Sequence, residues 1–333
     1  MSKLLNTVYY CGAWGQGFEN IPDDALECLD MLFYSNAEVS PEQVRFNNPP
    51  EAANVANLHE RRPDMSVVLS TVGYSSVAES RESIADAAKR VVGAAVNAGF
   101  DGIDVDWEFP TNDQACLHTY LLACLREELD KLSAQSGKKY YLTTALPTTA
   151  WVFDITELDR SHVYLDYVNV MTYDIYSERK ITSSHSAPLP TSRAPFPCAS
   201  LEENIKLFIE RGVPAEKIIG GGAYYSRVWY DVKDGTEDGY ASVTEAQADY
   251  GPKFCDITEE YIKEGNYKKF RDPESLAPWL WNGSTFITYE DEVSLAAKCE
   301  VVKKLGAAGM MAWEYACDTP DHTLLKLQRE KLL

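Results

Sequence analysis

The chain has 333 residues, 45% apolar and 25% charged, with 51 acidic against 31 basic side chains and a formal net charge of −20. That is the composition of a globular protein with a sizeable core. The acidic excess excludes a nucleic-acid partner, which needs a basic face, and an anionic membrane surface; it does not repel a neutral sugar.

Eight short runs rich in Val, Ile, Tyr and Leu read as strands: 7–11, 31–39, 66–70, 102–108, 140–145, 167–173, 218–224 and 309–313. Helical spacing fills the gaps. It is clearest over 80–98, where Ile84, Ala87, Ala88, Val91, Val92, Ala95 and Val96 share one side. Residues 117–132 follow the same pattern, and 290–305 opens acidic and closes on Lys303-Lys304, as the helix dipole favours. Eight strand–helix repeats predict an α/β fold, a (β/α)8 TIM barrel, as a single catalytic domain over 1–333. An open doubly wound sheet is the alternative. It calls for a GxGxxG turn after the first strand, and the residues from Gly12 to Gly17 do not supply one.

Two segments break the rhythm. Residues 174–200 are rich in Ser, Pro and Thr, and 230–289 form an insertion between strand seven and helix seven. The insertion holds Trp281-Asn282-Gly283-Ser284, a hairpin signal. Loops after barrel strands sit on the catalytic face, so both segments should shape a binding groove. Trp14, Trp151, Trp229, Trp279 and Trp281 lie near strand ends or in insertions and are candidates to line it.

No metal or cofactor is expected. The eight cysteines form no CxxC pair, and the five histidines form no HxxxH pair. Scattered cysteines fit a reducing compartment. The sequence has no apolar leader and no membrane-spanning run, so a cytoplasmic location is expected, or export if a leader precedes these residues.

The stretch F-D-G-I-D-V-D-W-E-F-P, from Phe100 to Pro110, carries the chemistry. Side chains alternate along a strand, so Asp104, Asp106 and Glu108 share a face at steps of roughly 6.5–7 Å. That face points into the barrel, while Ile103, Val105 and Trp107 pack outward. Like charges that close cannot all ionise, so a proton is shared and pKa values rise. A ladder of this kind ending at the mouth keeps Glu108 protonated as a general acid. A calcium loop is the other use of such residues, and its D-x-D-x-D-G order is absent.

D-G-I-D-V-D-W-E resembles the DxxDxDxE signature of glycoside hydrolase family 18, the chitinase family. V-M-T-Y-D at 170–174, G-G-A-Y-Y-S-R-V-W at 221–229, T-F-I-T-Y-E-D at 285–291 and G-M-M-A-W at 309–313 resemble further motifs of that family. The resemblance implies a (β/α)8 barrel and a retaining hydrolase of β-1,4-linked N-acetylglucosamine, in which the substrate's acetamido oxygen attacks to form an oxazolinium ion. It makes Glu108 the acid, and Asp106 the residue orienting the acetamido nitrogen and sharing a proton with Asp104. It gives Tyr173 the acetamido carbonyl, with Asp174 in support. Met171 would line the pocket, Trp313 would floor it, and Tyr225 and Arg227 would stand at the rim. Asp101, Tyr9 and Trp14 complete the expected substrate-binding set.

Two departures from the family pattern stand out. Val72 replaces a glycine of its strand-three motif, and Asn36 replaces an aromatic residue. The ladder is intact. The expected partner is a chitooligosaccharide or another N-acetylglucosamine-containing glycan, and a monomer is expected. An endo-β-N-acetylglucosaminidase of N-glycan cores shares the ladder and is the alternative. A non-catalytic chitooligosaccharide-binding protein of lectin type is another; such members lack the terminal glutamate, which is present here.

Overall fold

The computed structural model describes residues 3–12, 17–233 and 235–333. Eight parallel strands run Leu5–Cys11, Met31–Val39, Ser66–Val72, Gly102–Val105, Tyr141–Pro147, Tyr167–Met171, Ile218–Ala223 and Gly309–Trp313. Each pairs with the next, and the first pairs with both the second and the eighth, which closes the barrel. The fold is therefore the predicted TIM barrel.

Apolar residues on both faces of these strands explain the closure. Val67, Val68 and Leu69 of the third strand are all fully buried, between the packed interior and the outer helices. Helix Arg81–Asn97 shows how one helix is fixed. Ser80 and Ser83 cap its start reciprocally, and Ile84, Ala87, Ala88, Val91, Val92 and Ala95 form its buried stripe. Helix Glu292–Leu305 starts on an Asp291 cap and stops at Gly306 (φ 70°).

Beyond the seventh strand the chain builds a five-stranded antiparallel sheet, in the order Asp249–Lys253, Tyr225–Trp229, Phe286–Thr288, Pro278–Trp281, Lys268–Arg271. The sheet thus takes in Tyr225–Trp229, ahead of the boundary at 230. The hairpin signalled by Asn282-Gly283 joins Pro278–Trp281 to Phe286–Thr288. Its loop has four residues, with Trp281 opposite Phe286 and the Asn282 side-chain Oδ1 accepting from the Ser284 and Thr285 amides. Trp229, Trp279 and Trp281 do not line a groove. They are buried with Val232, Tyr240 and Phe286 in a core of the sheet's own, because a small sheet needs large side chains to cover one face.

Strands four and six are shorter than the sequence suggests. Strand four leaves the ladder after Val105, although the Asp106 amide still reaches the Thr71 carbonyl at 2.9 Å. Strand six ends at Met171 and folds back at once, Thr172 N–H donating to the Val170 carbonyl at 2.8 Å. Both ends are thereby freed from the sheet at the C-terminal mouth. Among the described residues no helix is long and apolar enough to cross a membrane.

Candidate active site

The four carboxylates at 101, 104, 106 and 108, in and around strand four, meet four different environments. Asp101 precedes the strand at the barrel's N-terminal end. Its Oδ2 accepts from the Val67 amide at 2.7 Å, and it pairs with Lys138 and with His59. It cannot touch a substrate at the C-terminal mouth, so its expected binding role is withdrawn in favour of tying strands three and four to the start of strand five.

Asp104 is fully buried inside the barrel, and four neutral donors saturate its oxygens. Tyr9 Oη and Ser70 Oγ reach Oδ2 at 2.9 and 3.0 Å, and Thr143 Oγ1 and Asn169 Nδ2 reach Oδ1 at 2.6 and 3.2 Å. Burial raises its pKa, and these hydrogen bonds oppose the rise. Asn169 escaped the sequence reading. It faces inward two residues before Met171, and only the closed barrel brings it to Asp104.

Asp106 interacts with Glu108 more strongly than with Asp104, whose own oxygens are already filled by other donors. Burial lifts the Asp106 pKa well above the usual carboxylate range, and the charge of Glu108 and then that of Asp104 add to it. Glu108 opens onto the cleft. Burial raises its pKa too, while the hydrogen bond with Asp106 opposes. Two hydrogen-bonded carboxyls must share one proton. Outward of them, Trp107 is wedged against Tyr74 and His118 and donates Nε1–H to Ser75 Oγ at 2.9 Å.

A cleft of about 730 Å³ lies over this pair. Tyr9, Asp106, Glu108, Met171, Tyr173, Asp174, Tyr225 and Trp313 all contribute to its wall. Trp313 is partly exposed and tilts against Tyr9 at 5.7 Å between ring centres. Among the described residues the Tyr173 hydroxyl has only a weak acceptor, Met311 Sδ at 3.9 Å, so it can donate to a better one. Its ring lies against Gly221, where a Cβ would stand 2.9 Å from Tyr173 Cε1. Glycine is required there by close approach.

Asp174 is the opposite case to Asp106. Arg227 grips both of its oxygens at 2.5 Å, and His185 Nδ1 lies 3.3 Å from Oδ1. Burial alone would raise the Asp174 pKa. The Arg227 and His185 contacts outweigh burial and hold the carboxyl well below its ordinary value. Arg227 therefore stands behind the wall, with its guanidinium 3.6 Å over the ring of Tyr250.

The sequence reading missed Tyr250 and Phe109. Tyr250 lines the cleft from the insertion, where nothing in its local pattern marks it. Phe109 meets Trp151 edge to face at 5.4 Å, and both rings are substantially exposed on the cleft wall. That Phe109 stands next to Glu108 was readable from F-P after the ladder. Trp14 lies outside the described residues. Among the described wall residues, neither Asn36 nor Val72 takes part. Also among the described residues, no three of His, Cys, Asp and Glu converge to hold a metal ion.

Fold and site together define a closed parallel barrel equipped for acid chemistry at its C-terminal mouth. The comparisons with known proteins agree, as the model of glycosyl hydrolases family 18 matches residues 6–318. The chain belongs to that family. It is 30% identical over 302 residues to Chitinase A1 of Niallia circulans, covering 81% of this chain and 43% of that protein. A solved family 18 N-acetylglucosaminidase from Paenibacillus barengoltzii superimposes with a TM-score of 0.92 at 30% identity, over 98% of this chain and 99% of that one. Human YKL-39, described as a pseudo-chitinase with retained chitooligosaccharide binding, shares the fold at 20% identity with a TM-score of 0.87, over 99% of both chains. The chain spans less than half the length of Chitinase A1 and of mouse Chitotriosidase-1, 43% and 49%.

Proposed function

We propose that this chain is a retaining glycoside hydrolase cleaving β-1,4-linked N-acetylglucosamine, in chitin or chitooligosaccharides, by substrate-assisted catalysis. The observation that carries the reading is the buried Asp106 beside Glu108 in a cleft that Trp313 also lines, while the two neighbouring aspartates are already engaged. Asp104 is saturated and Asp174 is gripped by Arg227.

Glu108 donates the shared proton to the leaving oxygen. The acetamido carbonyl oxygen of the same sugar attacks the anomeric carbon, favoured by proximity. The Tyr173 hydroxyl donates to that carbonyl oxygen and positions it. Asp106, left ionised, accepts from the acetamido N–H and balances the positive charge of the oxazolinium ion. Glu108, now a carboxylate, takes a proton from the water that opens the ring. Both displacements invert the anomeric carbon, so the product retains configuration.

Chitotetraose hydrolysis followed early by NMR should release the β-anomer first. Glu108→Gln should lower kcat by about 10³-fold while leaving chitooligosaccharide binding intact. Initial release of the α-anomer, or full turnover by the Glu108→Gln variant, would reject the mechanism. The Paenibacillus N-acetylglucosaminidase favours a second reading, release of single terminal residues. Monosaccharide as the first product would select it. Cleavage of a high-mannose glycopeptide with chitotetraose left intact would move the assignment to N-glycan cores.

A further inference from the structure

We infer that Lys298 and Glu290, joined through Ser186, are positioning residues that hold Tyr173 in place from behind the barrel wall, an inference that rests on the proposed catalytic role of Tyr173. Both ions are completely buried, and neither touches the cleft. Lys298 extends from helix Glu292–Leu305 and spreads its three N–H donors over four oxygens. These are Ser186 Oγ at 2.7 Å, the Gly221 carbonyl at 2.8 Å, Glu290 Oε2 at 3.2 Å and the Thr172 carbonyl at 3.3 Å. Glu290 Oε2 also accepts from the Ala223 amide at 2.7 Å and from Ser186 Oγ at 3.1 Å.

The location gives the pair its task. Regular pairing of strands six and seven stops at Val170 opposite Gly220, before Tyr173 is reached. Past that point side chains replace the ladder. Thr172 Oγ1 accepts from the Gly221 amide at 2.8 Å and donates to the Gly221 carbonyl at 2.7 Å. The Lys298 ammonium then clips the Thr172 carbonyl, which belongs to the peptide carrying Tyr173, to the Gly221 carbonyl. Glu290 fixes the next turn of strand seven through Ala223. Tyr173, whose ring rests on Gly221, is thus set by contacts on both strands. Burying two ions for stability alone is a poor arrangement, since apolar side chains of similar volume do as well or better. Burial lowers the Lys298 pKa and raises that of Glu290, each opposed by the other's charge, and the hydrogen bonds converging on Lys298 Nζ and Glu290 Oε2 hold the pair, while Glu290 Oε1 is buried without a partner among the described residues.

The test is the double variant Lys298→Met with Glu290→Gln, which removes the clip without leaving a lone buried charge. On chitotetraose, kcat should fall by about tenfold or more with KM nearly unchanged, the signature of a displaced catalytic group. Affinity for a thiazoline analogue of the oxazolinium ion should fall by the same factor, and chitooligosaccharide affinity in a Glu108→Gln background should stay constant. A folded double variant with wild-type kcat overturns the inference, as does a fall in kcat unaccompanied by any loss of analogue affinity. If the double variant does not fold, Ser186→Ala reads the same split, and an unchanged kcat there overturns the inference equally. Failure of the wild-type chain to hydrolyse any of the glycans would instead reject the proposed function, so the two failures are distinct.

Discussion

Asp106 and Asp174 face one cleft with the same side chain and hold their protons in opposite ways. Asp106 is buried beside Glu108, with no cation at its oxygens among the described residues, and its pKa goes up. Asp174 is partly open to the cleft, carries Arg227 on both oxygens, and its pKa goes down. Burial disfavours the charge at both positions, so the arginine makes the difference. A site that needs a proton in one place and a fixed negative charge elsewhere on the same cleft wall obtains both by supplying a cation to only one aspartate.

Asp106→Asn should break this contrast most severely. Removing the charge that faces the oxazolinium ion should cost about 10³-fold in kcat. Without the repulsion that keeps the pair protonated, the alkaline limb of the kcat–pH profile should move to lower pH. The sign for stability follows. A carboxyl whose pKa is raised on folding contributes stability at pH below its unfolded value and loses it as pH rises through the folded value. The wild-type chain should therefore lose thermal stability toward neutral pH, and Asp106→Asn should flatten that loss, as melting scans against pH will read.

Tyr173→Phe tests the donor between the two aspartates and should lower kcat by about 10²-fold with little change in KM. Arg227→Met should make Asp174 behave more like Asp106. Because the folded Asp174 pKa is depressed, its contribution is present above the unfolded value and lost as pH falls through the folded one. The variant should lose about 2 kcal/mol at neutral pH, less than a fully buried pair because Asp174 is partly exposed. Its acid unfolding should also begin at higher pH, and urea titrations at several pH values measure both effects. The smallest change is expected for Trp151→Ala, which leaves both aspartates alone. It should raise KM for chitotetraose by about fivefold, the loss of one stacking face, with kcat unchanged.

The barrel was legible because its strands are apolar and short and its helices carry long stripes; 31–39 and 309–313 emerge with their bounds unchanged. The ladder was legible through alternation, which places Asp104 and Asp106 inward and Trp107 outward. Alternation could not say which pair shares the proton. That depends on Ser70, Thr143, Asn169 and Tyr9 arriving from other strands to saturate Asp104. Nor could it show that Asp101 belongs to the other end, since a residue just ahead of a strand reads like part of it. Lys298 did leave a trace. With Leu295, Cys299 and Val302 it lies at i, i+3, i+4 and i+7 on the buried stripe, where a lysine needs a partner.

The antiparallel sheet carries one last implication, for modular exchange between barrels. Arg227 sits on its inner strand, flanked by Tyr250 on one side and Thr288 on the other. Trimming residues 230–289 would spare the arginine yet strip both neighbours that hold it over Asp174. Redesigning this family by shortening its decorations would therefore alter the charge state of the cleft, however carefully the barrel itself were preserved.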